Sequence, residues 1–408
     1  MNIKKYYILH KSNISFASVW IDSGSIFDKT GKKGINQILC SLLTRGCKNY
    51  DNYSLSDYIN SYGGELNYET FEDGMIISIK SISIYFEKLY PLIDLIIEEP
   101  RLSENEFNKC KINLLNGLIK FKENPFNLAY ENWRKKVYIK SPYAFDSNGY
   151  EEDIKRIKYD DILEEYFEFK RRSKFLLSNF KAKNMENITN QKGRPFQNIK
   201  YRSESESNTY NSNRCIFSNL DSNQSIILLG NQTCSYLDKD YLILKILESY
   251  LSFGMSSKLF NIFREDNGLT YDVGIYNSPR KLNSPFLIYL SVSPENASLS
   301  LELLLKLWDD LLRINLSQSD LKLAKAKLKG SILNSNQTIE GIISRKCKLI
   351  ASNKNHNFDE ILLKELGKIS TSEILKITKK YFSKPILSFV GSKNDFKKLR
   401  KIFINKFK

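Results

Sequence analysis

Histidine is scarce: 408 residues include two, His10 and His356. They sit far apart in the chain, so no local pair of imidazoles is available as metal ligands. No nucleophile-base arrangement is apparent, because any Ser-His or Cys-His pair would have to use His10 or His356. The six cysteines, at positions 40, 47, 110, 215, 234 and 347, form no Cys-x-x-Cys pair. Reduced thiols are expected rather than a disulfide framework. Apolar runs are short, and none reaches the ~18 residues of a membrane-spanning helix. The apolar opening is broken at once by His10 and Lys11, and no small-residue cleavage site follows. A secretory leader is therefore not expected, and the cytoplasm is the expected location. Gly34, Gly46, Gly63 and Gly64 do not have phosphate-loop spacing. Lysines and arginines outnumber acids by 62 to 46, but they are scattered rather than interleaved with aromatics in a block. A nucleic-acid partner is not expected from that pattern.

What is present is globular: 41% hydrophobic and 26% charged residues, in a chain too long for one ordinary core. Alternation over 14–22 predicts a strand, and helical spacing predicts helices over 35–43 and 54–62, the latter stopped by Gly63-Gly64. A strand pair over 66–69 and 75–81 follows, then helices near 83–98, 103–122, 126–138 and 159–169, and a strand from Lys174. Residues 183–213 are polar and almost core-free, which reads as a linker.

The second half repeats the first. Leu102-Ser-Glu-Asn-Glu-Phe before one long helix is echoed by Leu316-Ser-Gln-Ser-Asp-Leu before another, each with a serine placed to cap. Ile157-Lys-Tyr-Asp-Asp-Ile-Leu is echoed by Ile369-Ser-Thr-Ser-Glu-Ile-Leu, and each leads into a strand. The expectation is an α+β protein of two homologous domains, 1–182 and 214–408. Each has a mostly antiparallel sheet with helices stacked on one face, and residues 183–213 join them.

The densest local signal is Leu251 to Tyr271. Gly254 marks a turn, Ser256 and Ser257 are N-cap candidates, and Leu259, Phe260 and Phe263 form an apolar helix side. Asn267-Gly268 is a helix stop. Across that stop Arg264 and Tyr271 are expected to converge, a pair suited to a peptide carbonyl or a developing oxyanion. Two acidic groups, Glu151-Glu152-Asp153 and Asp309-Asp310, read as solvated faces.

These features together resemble the insulinase/pitrilysin family of zinc metallopeptidases, near its mitochondrial processing peptidase branch. The likeness runs over Trp20 to Gly46, Gly63-Gly64-Glu-Leu-Asn, Gln224 to Gly230, Gly254-Met-Ser-Ser-Lys-Leu-Phe and Arg264-Glu-Asp-Asn-Gly-Leu-Thr-Tyr271. Family enzymes carry His-x-x-Glu-His on the first-half helix: two histidines on one face bind zinc, and the glutamate is the general base. Here those positions are Gln37, Cys40 and Ser41, and the third-ligand position falls at Asn116-Gly117. Cys40 and Cys47 have no zinc spacing and read as buried packing thiols. The resemblance then implies a chain that binds no cofactor itself and is not an active peptidase alone. It implies a heterodimer with a zinc-bearing homologous subunit, to which Arg264 and Tyr271 supply peptide-binding groups. A structural or peptide-binding role outside proteolysis is the competing expectation.

Overall fold

The computed structural model describes residues 3–190, 214–314 and 316–407. The chain forms two compact units that are not contiguous in sequence. The first takes residues up to Lys120, those from Phe145 to the end of the first half, and Leu333–Phe358. The second takes Phe121–Ala144, the second half up to Ile332, and Asp359 onward. The expected boundary between 1–182 and 214–408 thus divides the sequence repeat, while each compact unit also includes one segment from the other half.

In the first unit, β1 (Lys4–Tyr7), β2 (Ile14–Ile21), β3 (Glu65–Thr70), β4 (Met75–Ile82), β5 (Lys174–Ser178) and β6 (Glu186–Asn187) form one sheet. Their order is β3-β4-β2-β5-β1-β6. β4, β2 and β5 pair antiparallel, with Val19 opposite both Ile77 and Leu176, whereas β1 lies parallel to β5 and β6. The second sheet contains β7 (Cys215–Asn219), β8 (Ser225–Gln232), β9 (Thr270–Tyr276), β10 (Pro285–Val292) and β11 (Ile386–Gly391), in the order β7-β11-β8-β10-β9. Reversed, it reads β9-β10-β8-β11-β7. That is the first order once β1–β5 are replaced by β7–β11, with β6 the one strand lacking a counterpart among the described residues, so the repeat extends to topology.

Both repeated serines cap their helices. Ser103 Oγ accepts from the Glu106 amide at 3.3 Å, and Ser317 Oγ from the Asp320 amide at 3.0 Å. Each satisfies one of the amides left unpaired at a helix start.

The first sheet is buried on both faces, which corrects the expectation of helices on one face. Side chains alternate across the pleat. Ala17, Val19, Ile21, Ile77 and Ile79 enter one core with Ile35, Ile38, Leu39 and Leu42 of the helix Ile35–Leu43. Phe16, Trp20, Ile76, Phe175 and Leu177 enter another, closed by Ile339, Ile343, Cys347 and Ile350 of the helix Ile339–Ala351. That covering helix comes from the second half. In the second unit the helix Pro125–Val137, from the first half, packs on β8 and β11. There Ser388 Oγ donates to the Ala129 carbonyl at 2.8 Å. Within the expected linker 183–213, Glu186–Asn187 form β6 and Ile188 is buried, while residues 191–213 lie outside the described residues.

Candidate functional site

The first candidate region is the helix Ile35–Leu43. Its start is fixed from outside. The buried Asp28 carboxylate accepts from the Gly34 amide at 2.7 Å, the Asn36 amide at 3.3 Å and Asn36 Nδ2 at 2.7 Å. Burial still pushes the Asp28 carboxyl up, to about 6, against those donors and Lys33. Gly34 precedes the helix at φ +100°, and a Cβ there would meet the Asn148 carbonyl at 3.0 Å. Both facts call for glycine.

On this helix lie the three positions that the resemblance aligns with zinc ligands and base, and two of them, Cys40 and Ser41, are buried. Gln37 is half-buried and Cys40 is fully buried. Burial raises the Cys40 thiol to about 12, so it carries no thiolate at neutral pH. Ser41 Oγ accepts from Tyr68 Oη at 2.9 Å and lies 3.4 Å from Cys110 Sγ. Burial raises the Cys110 thiol as well. Cys110 and Tyr68 are the neighbours that sequence reading missed, and nothing in their local spacing marks them. Asn116 and Gly117, on the helix Glu104–Glu123, are exposed, and a Cβ on Gly117 would meet nothing within 4 Å. Among the described residues no group of three or more His, Cys, Asp or Glu could hold a metal ion. A zinc ion needs deprotonated sulfur, neutral imidazole or carboxylate donors, and this set does not fit it.

The second candidate region is Gly254 to Tyr276. Gly254 turns the chain at φ +79°, and its carbonyl accepts from the Ser257 amide at 3.0 Å. Ser257 occupies the N-cap position, buried, but its side chain makes no capping bond; Ser256 is exposed. The expected helix is a single α turn, Lys258–Phe260, that widens into a π-helical turn over Asn261–Glu265. The Asp266 amide accordingly reaches back five residues, to the Asn261 carbonyl, at 2.8 Å. Leu259 and Phe263 anchor the turn in the core. Gly268 ends it at φ +60°, donating to the Arg264 carbonyl at 3.1 Å, while the Leu269 amide donates to Phe263 at 2.8 Å. This is the C-terminal cap that the Asn-Gly pair predicts.

Arg264 is exposed, and its guanidinium lies 4.9 Å from the centre of the Phe260 ring. Tyr271 lies on β9, the edge strand, where Asp272 pairs with Ser291 and Thr270 with Val292. Its backbone is therefore the extra residue at a register shift, a β-bulge, between Ser291 and Val292 of β10. The Tyr271 side chain, and with it the expected meeting with Arg264, lies outside the described residues. Neither the π turn nor the bulge has a signature in the sequence.

The remaining candidates make structural contacts, and one departs from the expected solvated face: Asp153 accepts from the Lys33 amide at 3.0 Å, beside the start of the first candidate helix. Asp309 pairs with Lys406 at 3.1 Å and Arg313 at 3.4 Å, and Glu151 pairs with Lys155 at 2.8 Å. Cys47 is buried beside Tyr50 and Pro100.

Paired α+β units of matching topology, with a zinc helix emptied of donors, define a metallopeptidase-type scaffold without its metal centre. Residues 7–145 match the insulinase family (peptidase family M16), and residues 154–328 match the family's "peptidase M16 inactive domain". The chain belongs to the insulinase family and is a member lacking the zinc-binding motif.

A relative from Rickettsia bellii (strain RML369-C), named an uncharacterized zinc protease, is 24% identical over 91% of this chain and 90% of its own length. A second, from Helicobacter pylori (strain ATCC 700392 / 26695), is named non-peptidase homolog YmxG; it is 23% identical over 86% and 82%. Among solved structures, a peptidase M16 inactive domain from Pseudomonas fluorescens superposes with a TM-score of 0.82 at 18% identity, over 96% of this chain and 95% of that one. A protease from Helicobacter pylori also gives 0.82 at 18%, over 95% and 97%. These two likenesses speak for the fold.

Proposed function

We propose that this chain is the zinc-less subunit of a heterodimeric insulinase-family peptidase. It would present Arg264 and Tyr271 to peptide held at the active site of a zinc-bearing homologous partner. The observation that carries the reading is an asymmetry between the two candidate regions. On the helix Ile35–Leu43 the donor positions have been rebuilt for packing: Cys40 is sealed and Ser41 is engaged by Tyr68. The turn bearing Arg264 keeps a defined cap at Gly268, an exposed guanidinium and a bulged edge strand at Tyr271. Division of labour accounts for that asymmetry. A zinc ion held by the partner would supply Lewis-acid chemistry for hydrolysis, while Arg264 and Tyr271 of this chain would orient peptide and stabilise charge as it develops. Within the pair, this chain's own residues bind and position, and no proton transfer is assigned to them.

The competing reading is a structural or peptide-binding protein outside proteolysis. The Helicobacter pylori relative carries the name of a non-peptidase homologue, which favours it. Co-expression with a zinc-bearing homologue from the same genome separates the two. The first reading expects a stable pair that hydrolyses peptides neither chain hydrolyses alone. A monomer that leaves such a homologue's rate unchanged supports the second.

A further inference from the structure

One end of the first unit's sheet carries chemistry that neither candidate region uses. A cavity of about 580 Å³ opens there, lined by His10, Lys11, Ser12, Asn179 and Lys181 among others, with no acidic residue in its wall. The wall is held by its own hydrogen bonds. Ser15 Oγ donates to Ser83 Oγ at 2.9 Å, and Ser83 Oγ donates to the Ser12 carbonyl at 3.0 Å. Asn179 Oδ1 accepts from the Phe16 amide at 2.8 Å, and its Nδ2 donates to the Ile14 carbonyl at 3.0 Å. A polar cavity braced in this way is preformed.

Its cations are available. Lys5 and Lys80, elsewhere on the same sheet, pair with Asp94 and Glu65. Lys11 and Lys181 are exposed and form no ion pair among the described residues, the Lys181 ammonium lying 5.3 Å from the centre of the Tyr7 ring.

Several residues beside the lining ones in sequence are apolar and exposed. Leu9 is 79% exposed and Ile84 is 76% exposed, and Tyr85 stands beside Ile84. Ile14 and Ile82 are cross-strand partners, each exposed. Loose aliphatic tips around a cationic polar cavity are the reverse of a protein-docking hot spot, where the partner's apolar anchor fills an apolar pocket. Here the apolar groups belong to this chain and have no pocket to enter, so they suit insertion into a soft apolar layer beneath anionic headgroups.

We propose that this end of the first unit is a peripheral docking site for an anionic phospholipid surface, with Lys11 and Lys181 taking a headgroup phosphate and Leu9 and Ile84 entering the acyl boundary. No helix of the described residues is long and apolar enough to cross a membrane, so the association would be interfacial.

Co-sedimentation of the full chain with vesicles tests it. Vesicles containing phosphatidylglycerol should retain the protein, pure phosphatidylcholine should not, and salt should release it. Lys11→Glu/Lys181→Glu should weaken partitioning at least tenfold, given about fivefold for each lysine near the surface. Leu9→Ser/Ile84→Ser should weaken it about tenfold as well. The control Lys397→Glu/Lys401→Glu changes net charge equally on an exposed helix face of the second unit, outside the proposed site, and should leave binding within about twofold. Circular dichroism melts verify folding, and Lys11→Gln/Lys181→Gln replaces any pair that unfolds. Absence of vesicle binding overturns the proposal, as does equal weakening by both lysine pairs, which would reduce it to overall charge. Binding of inorganic phosphate in the cavity without vesicle recruitment also overturns it, in favour of a soluble phosphate ligand.

Discussion

Restoring the catalytic glutamate of the zinc motif, Cys40→Glu, should damage this chain rather than revive it. The Cys40 side chain is fully buried, its sulfur 4.0 Å from the Glu69 carbonyl and within reach of the Thr70 hydroxyl, neither of which carries a positive charge. A carboxylate there would lose its water, meet no cation, and stand near Glu69, whose charge already raises the thiol's pKa. An unpaired buried charge of this kind costs on the order of 3–5 kcal/mol. The cost should depend on pH in a defined direction. The introduced carboxyl binds its proton more tightly in the folded chain than in the unfolded one, where its pKa is about 4.3. The loss relative to the parent is therefore small below that value and grows as pH rises above it. Urea unfolding at pH 4 and pH 7 reads both magnitude and slope. The contrast is Gly117→Glu, at the exposed third-ligand position where a Cβ meets open space. There the change should be neutral or stabilising by up to about 1 kcal/mol, through helix propensity. A Cys40→Glu chain that unfolds at the parent's urea concentration at pH 7, with no pH trend, would refute the claim that this helix has been rebuilt for packing.

Other outcomes follow from the same contacts. Asp28 has a folded pKa raised from the ordinary 3.8 to about 6, so the folded chain holds that proton more tightly. Stability should fall as pH rises from 3.8 to about 6, by on the order of 3 kcal/mol, and then level off; Asp28→Asn should remove that slope in pH-resolved melts. Ser103→Ala and Ser317→Ala should each cost about 1 kcal/mol by denaturant titration, and the double variant their sum to within about 0.5 kcal/mol. Gly268→Ala should cost about 1–2 kcal/mol from its left-handed backbone alone, since nothing lies within 4 Å of the added methyl; a Tm equal to the parent's would contradict this.

Much of the fold is legible in the sequence because local patterns report local structure. The apolar spacing of Ile35–Leu43, the Leu-Ser caps at Ser103 and Ser317, and the Asn267-Gly268 stop all carry their own physical cause. What is not legible depends on partners distant in the chain. The helices Pro125–Val137 and Ile339–Ala351 show an apolar face, but amphipathicity does not say which sheet that face meets. β6 is two residues long and paired to β1, so it has no period to detect inside a polar stretch. At the candidate sites the emptied motif is readable by alignment of residue types, yet the seal around it comes from Tyr68 and Cys110, remote in sequence. The π turn at Arg264 keeps helical apolar spacing, and the bulge at Tyr271 depends on register with Ser291 and Val292, so neither alters the pattern from which the elements are read.

The most direct test of the account is the rate at which a zinc-bearing homologue, co-purified with this chain, hydrolyses peptide when Arg264→Ala and Tyr271→Phe are introduced together. The account predicts that the parent chain, free of zinc by metal analysis, stimulates its partner. It predicts that the double variant still forms the pair but loses at least about a hundredfold of that stimulation, the scale of removing groups that stabilise developing charge. A double variant that stimulates the partner as well as the parent chain does would contradict the account.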